Sequence, residues 1–320
     1  MITDRLLLFT GTANPGLAGD IAANLSLALG KALVGAWKDG ETRVQIEENV
    51  RGADVFVIQP TCPPVDHNLV QLLIMLDALK RASPRRLTAV IPYYGYAKQE
   101  KKSAGREPIT AKLVANLITV AGANRILTLD LHSPAIEGFF DIPVDHLRGG
   151  PLLAEKIADL NLSNTVVVSP DSGGVHRAHE FRSHISGARL ALMAKYRPQP
   201  EQVEAVEIVG KVGGRTAVIV DDMIQSGSTI IECVGKLKER HAGDIYVCAT
   251  HAVFAAGAVE RLKQAPITKV LVSDTVPVDS AQCGDRIEVL SVAPLLAEAV
   301  RRIHMDLSLS TLIAPTPRDR

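Results

Sequence analysis

Strand-length apolar runs alternate with amphipathic helical stretches along almost the whole chain, and this alternation leaves few folds open. A strand with one wet face would show a polar residue at every second position. These runs are apolar throughout, so both their faces are covered, as in parallel sheets joined by crossover helices. The rhythm occurs twice. In the first half, residues 6–9, 55–59, 87–92 and 126–131 read as strands, and 18–29, 68–81 and 108–120 as helices. Ile21, Leu25 and Leu29 share one helical face, and Pro108 suits a first turn. In the second half, 165–168, 189–193, 216–220, 245–250 and 269–273 read as strands. The stretch 140–150, with Pro143, Gly149 and Gly150, reads as the crossing between the halves. The expectation is an α/β protein of two doubly wound domains with mainly parallel sheets, residues 1–148 and 149–304. The second ends in a strong helix over 294–304. A tail over 305–320 is expected to pack partly back on the first domain, with its Pro- and charge-rich tip disordered.

Composition narrows the function classes. The chain has 320 residues, 47% of them hydrophobic, enough for two cores. Basic and acidic side chains balance at 35 each, so no global field attracts nucleic acid or an anionic membrane. Phosphate recognition would have to be local. The opening run MITDRLLLFTG is too short to span a bilayer and lacks a basic lead with a cleavage site, which points to a cytoplasmic chain with no membrane partner. Cys62, Cys233, Cys248 and Cys283 are widely spaced without a CxxC pair and read as small buried residues.

In open parallel sheets ligands gather beyond the carboxyl ends of the strands. The segment RTAVIVDDMIQSGSTI runs from an apolar strand through Asp221 and Asp222 into a loop of small residues and a helix. Gly227 permits a tight turn, the amides entering the helix favour an anion, and Ser226, Ser228 and Thr229 add hydroxyl donors. A phosphate there leaves the two carboxylates one sugar's length away, where they can accept from vicinal ribose hydroxyls. The plain alternative is a helix capped by Ser226 or Ser228 with solvated aspartates. The Walker pattern GxxxxGK[ST] is absent.

Two further strand ends carry acids. ILTLDLHS delivers Asp130 and His132, a pair able to bind a divalent cation or to sit satisfied in a core. VVVSPDSGG sets Asp171 before two glycines, as a phosphate approach or a capped turn. Magnesium nucleotide chemistry needs such a cluster. YAKQEKKSAGR is a basic stretch suited to polyphosphate or to plain solvation, and in KYRPQ Lys195 and Arg197 leave a strand where both could reach a transferring phosphoryl group. Trp37, the single tryptophan, precedes Asp39, Gly40 and Glu41; an indole stacks on a purine or packs at a surface.

ENVRGADVFVIQPTC, NLVQLLIMLDALKRAS, TAVIPYYGYAKQ, PITAKLVANL, LDLHS with GFFDIPVDHL, VVSPDSGG and LLAEAVRRIH are blocks, in order, of the ribose-phosphate diphosphokinase family, and the chain resembles that family from Leu17 to Leu312. The resemblance implies two phosphoribosyltransferase-type domains, homo-oligomers that are usually hexamers, and transfer of the diphosphate of Mg-ATP to the anomeric hydroxyl of ribose 5-phosphate. It implies that Gln225, Ser226, Gly227, Ser228 and Thr229 hold the 5-phosphate, with Asp221 and Asp222 on the ribose hydroxyls and a magnesium. His132 and Asp171 match magnesium positions, and Lys195 and Arg197 match a catalytic pair that closes over the diphosphate, Arg197 also facing the sugar phosphate. Trp37, Asp39, Gly40 and Glu41 match the adenine site, which in the family is contributed by a neighbouring subunit. Lys98, Gln99 and His132 match the ATP phosphate side. Arg51, Arg106, Ser308 and Ser310 match a regulatory phosphate site.

Several positions depart from the common pattern. Gln225 and Ser226 stand for an acid followed by threonine, as in a plant-type subgroup, Trp37 for phenylalanine, and Lys98 for arginine. Asn49, Pro134 and Glu137 replace serine, serine and glutamine at the regulatory site, which leaves the response to phosphate and ADP open. The competing readings are a phosphoribosyltransferase, which has no need of the Trp37, Lys98 and His132 blocks, and a non-catalytic regulatory homologue, which has no need of Lys195 and Arg197.

Overall fold

A computed structural model of the chain describes residues 5–196, 205–255 and 257–313. It divides into two compact units, the first running up to Arg148 and adding Thr275–Pro277 and Ser291–Ile313, the second formed by Gly149–Asp274 and Val278–Leu290.

Unit 1 begins β1 (Leu6–Thr10), α1 (Pro15–Asn24), β2 (Ala32–Ala36), β3 (Thr42–Ile46), β4 (Asp54–Ile58), α2 (Val65–Arg81), β5 (Arg86–Ile91), α3 (Thr110–Ala121), β6 (Arg125–Leu129) and, after a short 3-10 helix at Pro134–Phe139, β7 (Val144–Leu147). Its sheet has the order β1-β4-β5-β6-β7, every pair parallel. All five residues of β4 are buried, and Leu72, Met75, Leu76 and Leu79 of α2 close over the sheet. Truncating one of these, such as Leu79→Ala, costs about 2–5 kcal/mol. β2 and β3 form a separate antiparallel hairpin.

Unit 2 contains α4 (Gly150–Asp159), β8 (Thr165–Ser169), α5 (Val175–Ser183), β9 (Arg189–Tyr196), β10 (Ala205–Val209), β11 (Thr216–Ile224), α6 (Ser228–Glu239), β12 (Ile245–Ala252), α7 (Ala258–Gln264), β13 (Lys269–Ser273), a single turn α8 (Ser280–Cys283) and β14 (Ile287–Leu290). The order is β10-β9-β8-β11-β12-β13-β14, parallel except for the edge strand β10. Alternate residues feed two cores: Val166, Ile219, Val247 and Val272 share one with Leu237 of α6, while Val167, Val218 and Leu271 share the other with Phe181 of α5. This double burial is why the strands are apolar at every position.

Three expectations need correction. The helix expected over 18–29 ends at Asn24; Ser26 turns left-handed, and Leu29 instead bridges Leu8 of β1. Gly30 makes that approach possible, since a Cβ there would lie 2.6 Å from the Phe9 ring. The stretch expected as a crossing does hold the boundary between the units, at Arg148–Gly149, but it also contains β7, whose Asp145 and His146 hide an edge strand from a purely apolar search. The helix expected to close the second domain, α9 (Ala293–His304), belongs to unit 1 and packs on α1. Its end is fixed there by charge: Arg86 grips the buried Asp54 through two hydrogen bonds of 2.9 and 2.6 Å and donates to the Ile303 carbonyl at 2.6 Å, while His304 Nδ1 lies 2.9 Å from Asp54. α10 (Ser310–Ile313) then packs near β7. Among the described residues no helix is long and apolar enough to cross a membrane.

Candidate active site

The sheet of unit 2 reverses direction of winding at one place. β8 passes through α5 to β9 on one side, whereas its other neighbour, β11, leads through α6 to β12 on the opposite side. Connections that leave in opposite directions open a crevice at the carboxyl ends of the two strands, where ligands of such sheets bind. Pairing of β11 with β8 stops at Ile219, but β11 continues to Ile224 alongside β12. Asp221 and Asp222 therefore sit inside the strand, past its last rung with β8.

One guanidinium serves both carboxylates. Arg177 of α5 places Nη1 3.4 Å from Asp221 Oδ1 and 3.6 Å from Asp222 Oδ1. Asp222 is buried, and its backbone N–H donates to Asp221 Oδ1 at 2.8 Å. Burial, and then the neighbouring Asp222 charge, push Asp221 well above the usual carboxylate range; Arg177 and the backbone N–H pull it down less. Asp221 thus favours its neutral form more than a solvated carboxylate does.

The two loops at the crevice differ in construction. After β8, Ser169 Oγ donates to the Asp171 carbonyl at 2.7 Å, and Asp171 Oδ1 accepts from Gly174 N at 2.8 Å. Asp171 is exposed and closes the turn into α5, so the turn-forming reading applies whatever else it binds. After β11, Gly227 adopts the left-handed φ of 78° and α6 starts at Ser228 with no side-chain cap on its N-terminus. Ser226 Oγ lies 2.9 Å from Ser228 Oγ and only 3.4 Å from Ser228 N, a long contact for a cap. The first-turn amides of α6 have no partners within the helix, and the positive end of its dipole is there as well. Gln225, Ser226 and Ser228 are exposed, and Thr229 is half-buried.

In unit 1 the sequence-predicted residues occupy loops and one hairpin tip. Asp130 is buried at a left-handed φ of 34°, and His132 is half-buried two residues on. Between them the Leu131 N–H donates to His146 Nε2 at 2.8 Å. A backbone N–H can only donate, so that nitrogen is unprotonated and Nδ1, 2.5 Å from Glu137 Oε1, carries the proton. Burial, with Arg148 beside the ring, lowers the His146 pKa and keeps it neutral. Lys98 is exposed; Gln99 is held by Thr110 Oγ1 at 2.5 Å and through its N–H to the Tyr96 carbonyl at 2.9 Å. Trp37, 52% exposed, opens the β2–β3 turn, with Trp37 N donating to Glu41 O at 2.8 Å and Glu41 N to Asp39 Oδ1 at 3.1 Å. Gly40 takes a φ of 94° there. The Arg43 guanidinium lies 4.3 Å from the indole centroid and covers one face. Ser308 and Ser310 share a 2.8 Å hydroxyl contact, and Arg302 donates to the Ser308 carbonyl at 2.8 Å. Arg51 lies in the turn before β4, its N–H on Asn49 Oδ1 at 3.0 Å, and Arg106 in the loop before α3 at a left-handed φ of 67°.

Lys195 is the penultimate residue of β9, facing Val206 of β10 in register. Its side chain and Arg197 lie outside the described residues. Among the described residues no three His, Cys, Asp or Glu side chains converge on a point that would hold a metal. Sequence reading missed Arg177 and His146. Arg177 stands alone after the glycine pair, and nothing in its spacing signals a carboxylate partner 44 residues later.

A mainly parallel α/β fold with a carboxylate pair and a helix N-terminus at a switch point is the architecture of proteins that take phosphorylated ligands at strand ends. A family model described as the N-terminal domain of ribose phosphate pyrophosphokinase matches residues 6–122, and one described as the phosphoribosyl synthetase-associated domain matches 188–314. The ribose-phosphate pyrophosphokinase of Caldanaerobacter subterraneus subsp. tengcongensis is 51% identical over 97% of this chain and 98% of its own. Ribose-phosphate pyrophosphokinase 1 of Spinacia oleracea is 48% identical over 96% and 92%. The crystal structure of phosphoribosylpyrophosphate synthetase from Mycobacterium smegmatis superposes with a TM-score of 0.90 at 41% identity, covering 95% of this chain and all of that one. The chain belongs to the ribose-phosphate pyrophosphokinase family.

Proposed function

We infer that this chain transfers the diphosphate of ATP to the anomeric hydroxyl of ribose 5-phosphate, giving 5-phosphoribosyl 1-diphosphate and AMP. The observation that carries this is identity near 50% over almost the full length of ribose-phosphate pyrophosphokinases, both family blocks included. In this reaction the anomeric oxygen attacks the β-phosphorus and releases its hydroxyl proton to solvent, the bond from that phosphorus to the bridging oxygen of the α-phosphate breaks, and the AMP oxygen takes the electron pair.

The chain's own residues divide the work in our reading. Gln225 to Thr229 hold the 5-phosphate with amides and hydroxyls at the start of α6, and Asp221 and Asp222 accept from the ribose hydroxyls. Arg177 limits the repulsion between these carboxylates and orients them. Trp37 stacks on adenine with Asp39, Gly40 and Glu41 at its edge; Lys98, Gln99 and His132 meet the ATP phosphates; Lys195 and Arg197 bear on the transferring group. Magnesium fits this donor set, because it takes one or two carboxylates together with substrate phosphates and water rather than a full protein cage. Asp171 and the Asp221–Asp222 pair of unit 2 would offer it carboxylates, and His132 of unit 1 is a magnesium position by family resemblance alone. Bound there, the ion would neutralise charge building on the transferring diphosphate.

The active form is proposed to be a cytoplasmic homo-oligomer, a hexamer by family resemblance. An exposed apolar stripe on α3 supports self-association: Ile109, Leu113, Leu117 and Val120 fall on one face and are 38, 53, 40 and 75% exposed. At the regulatory positions Glu137 is bound to His146, so we expect the response to phosphate and ADP to differ from that of members with glutamine there. The functional reading is tested by incubating the full chain with ATP, magnesium and ribose 5-phosphate. AMP formation that requires the sugar supports it, and absence of AMP under every phosphate concentration overturns it.

A further inference from the structure

Three successive carbonyls of the loop after β11 are tied to the same wall. The Ile224 oxygen accepts from Phe254 N at 3.0 Å, the Gln225 oxygen from Ala255 N at 2.9 Å, and the Ser226 oxygen from Arg261 of α7, through Nε at 2.9 Å and Nη2 at 2.6 Å. In a planar trans peptide the N–H points opposite to the C=O of the same unit. Holding these oxygens back therefore turns the N–H groups of Gln225, Ser226 and Gly227 toward the other side, the arrangement of successive amides that makes an anion-binding nest.

We propose that Arg261 is a positioning residue for the sugar-phosphate loop, fixing the Ser226–Gly227 peptide so that the Gly227 N–H faces the 5-phosphate. This rests on the assignment of residues 225–229 to that phosphate. The first two peptides of the nest are held by backbone donors of the β12–α7 connection, and the third is gripped by a side chain. It is also the one most in need of a grip. Gly227 is left-handed at φ 78°, and a glycine beside a peptide plane lets that plane rotate with little steric penalty. Arg261 resists the rotation with two charge-assisted bonds to one oxygen. Its helix is close enough to act so: a Cβ on Gly227 would lie 3.8 Å from Leu262 and 3.9 Å from the Ala258 carbonyl, both on α7. The guanidinium also polarises the Ser226–Gly227 peptide, strengthening its N–H as a donor, and keeps a positive charge behind the phosphate.

The effect is confined to the sugar phosphate. Arg261 is exposed and contributes no core volume, so Arg261→Met is compatible with folding. We expect Arg261→Met in the full chain to raise the KM for ribose 5-phosphate by about 10- to 100-fold, the worth of a charge-assisted hydrogen bond. The KM for ATP and the Tm stay unchanged. Arg261→Lys recovers part of the loss, because an ammonium can still donate to the Ser226 carbonyl but lacks the fork. Ser228→Ala and Thr229→Val, measured in parallel, remove donors within the loop. If those two raise the sugar-phosphate KM and Arg261→Met does not, the positioning role is overturned while the phosphate assignment stands. If none of the three raises it, the assignment of the loop itself fails. A lowered Tm and kcat with an unchanged KM for the sugar would reduce Arg261 to a structural tie and overturn the proposal.

Discussion

In unit 1 the strand order follows the chain without reversal, whereas in unit 2 it reverses between β8 and β11. The difference decides how each unit can carry chemistry. Unit 2 has a switch point, so its carboxylates, its short loops and the N-terminus of α6 meet at one crevice defined largely by backbone. Among the described residues unit 1 has none, and its candidate residues stand on a hairpin tip, a basic loop and the His132 turn. In our proposal unit 2 is the sugar-phosphate side, with a cradle built largely from backbone, and unit 1 is a nucleotide side whose grip depends on side chains.

Substitutions can break or sharpen that contrast. The largest effect is expected for Lys195→Ala, with kcat falling about 1,000-fold if the lysine stabilises the transferring group, while the unfolding transition stays in place. Steady-state kinetics with thermal unfolding checks this. Asp222→Ala is expected next, with a loss of about 100-fold in kcat/KM for ribose 5-phosphate and little change in nucleotide affinity, because it leaves Arg177 without one buried counter-charge and removes an acceptor. An unchanged sugar dependence would remove the ribose assignment from unit 2. Trp37→Ala should act in the opposite sense, raising the KM for ATP about 10-fold through lost stacking while the sugar KM holds.

The smallest effect concerns stability. Asp221 is held above its ordinary pKa of 3.8, so the fold favours its neutral form. That contribution is fully present below 3.8 and is lost as pH rises through the folded value. Asp221→Asn removes the penalty and should raise the ligand-free Tm at pH 7 by about 2–4 °C. The difference should shrink toward zero as the pH falls to the ordinary carboxylate value. A lower Tm at pH 7 would mean that Arg177 outweighs burial and the Asp222 charge.

The contrast also explains what could be read from sequence. The strands of unit 2 are buried on both faces, so their apolar runs stand out, and Asp221, Asp222 and Gly227 follow from the strand–loop–helix grammar of RTAVIVDDMIQSGSTI. β2 and β3 escaped notice because ALVGA and TRVQI are half-buried and mix small, polar and charged residues. Asp145 and His146 hide β7, and the sequence of α9 does not declare its unit because a helix pattern does not say which sheet it covers. Arg177 and Arg261 were illegible for a related reason. Each acts across 35 residues or more on a partner brought near only by the sheet order. Local periodicity carries no record of such contacts.

The central claim is that a whole diphosphate moves to the anomeric position, and phosphorus NMR of a reaction mixture containing the full chain, ATP, magnesium and ribose 5-phosphate tests it most directly. The account predicts AMP and a sugar bearing a diphosphate at C1 in equal amounts, with the 5-phosphate resonance retained. ADP with a singly phosphorylated C1, or ATP left intact in the presence of the sugar, would contradict it.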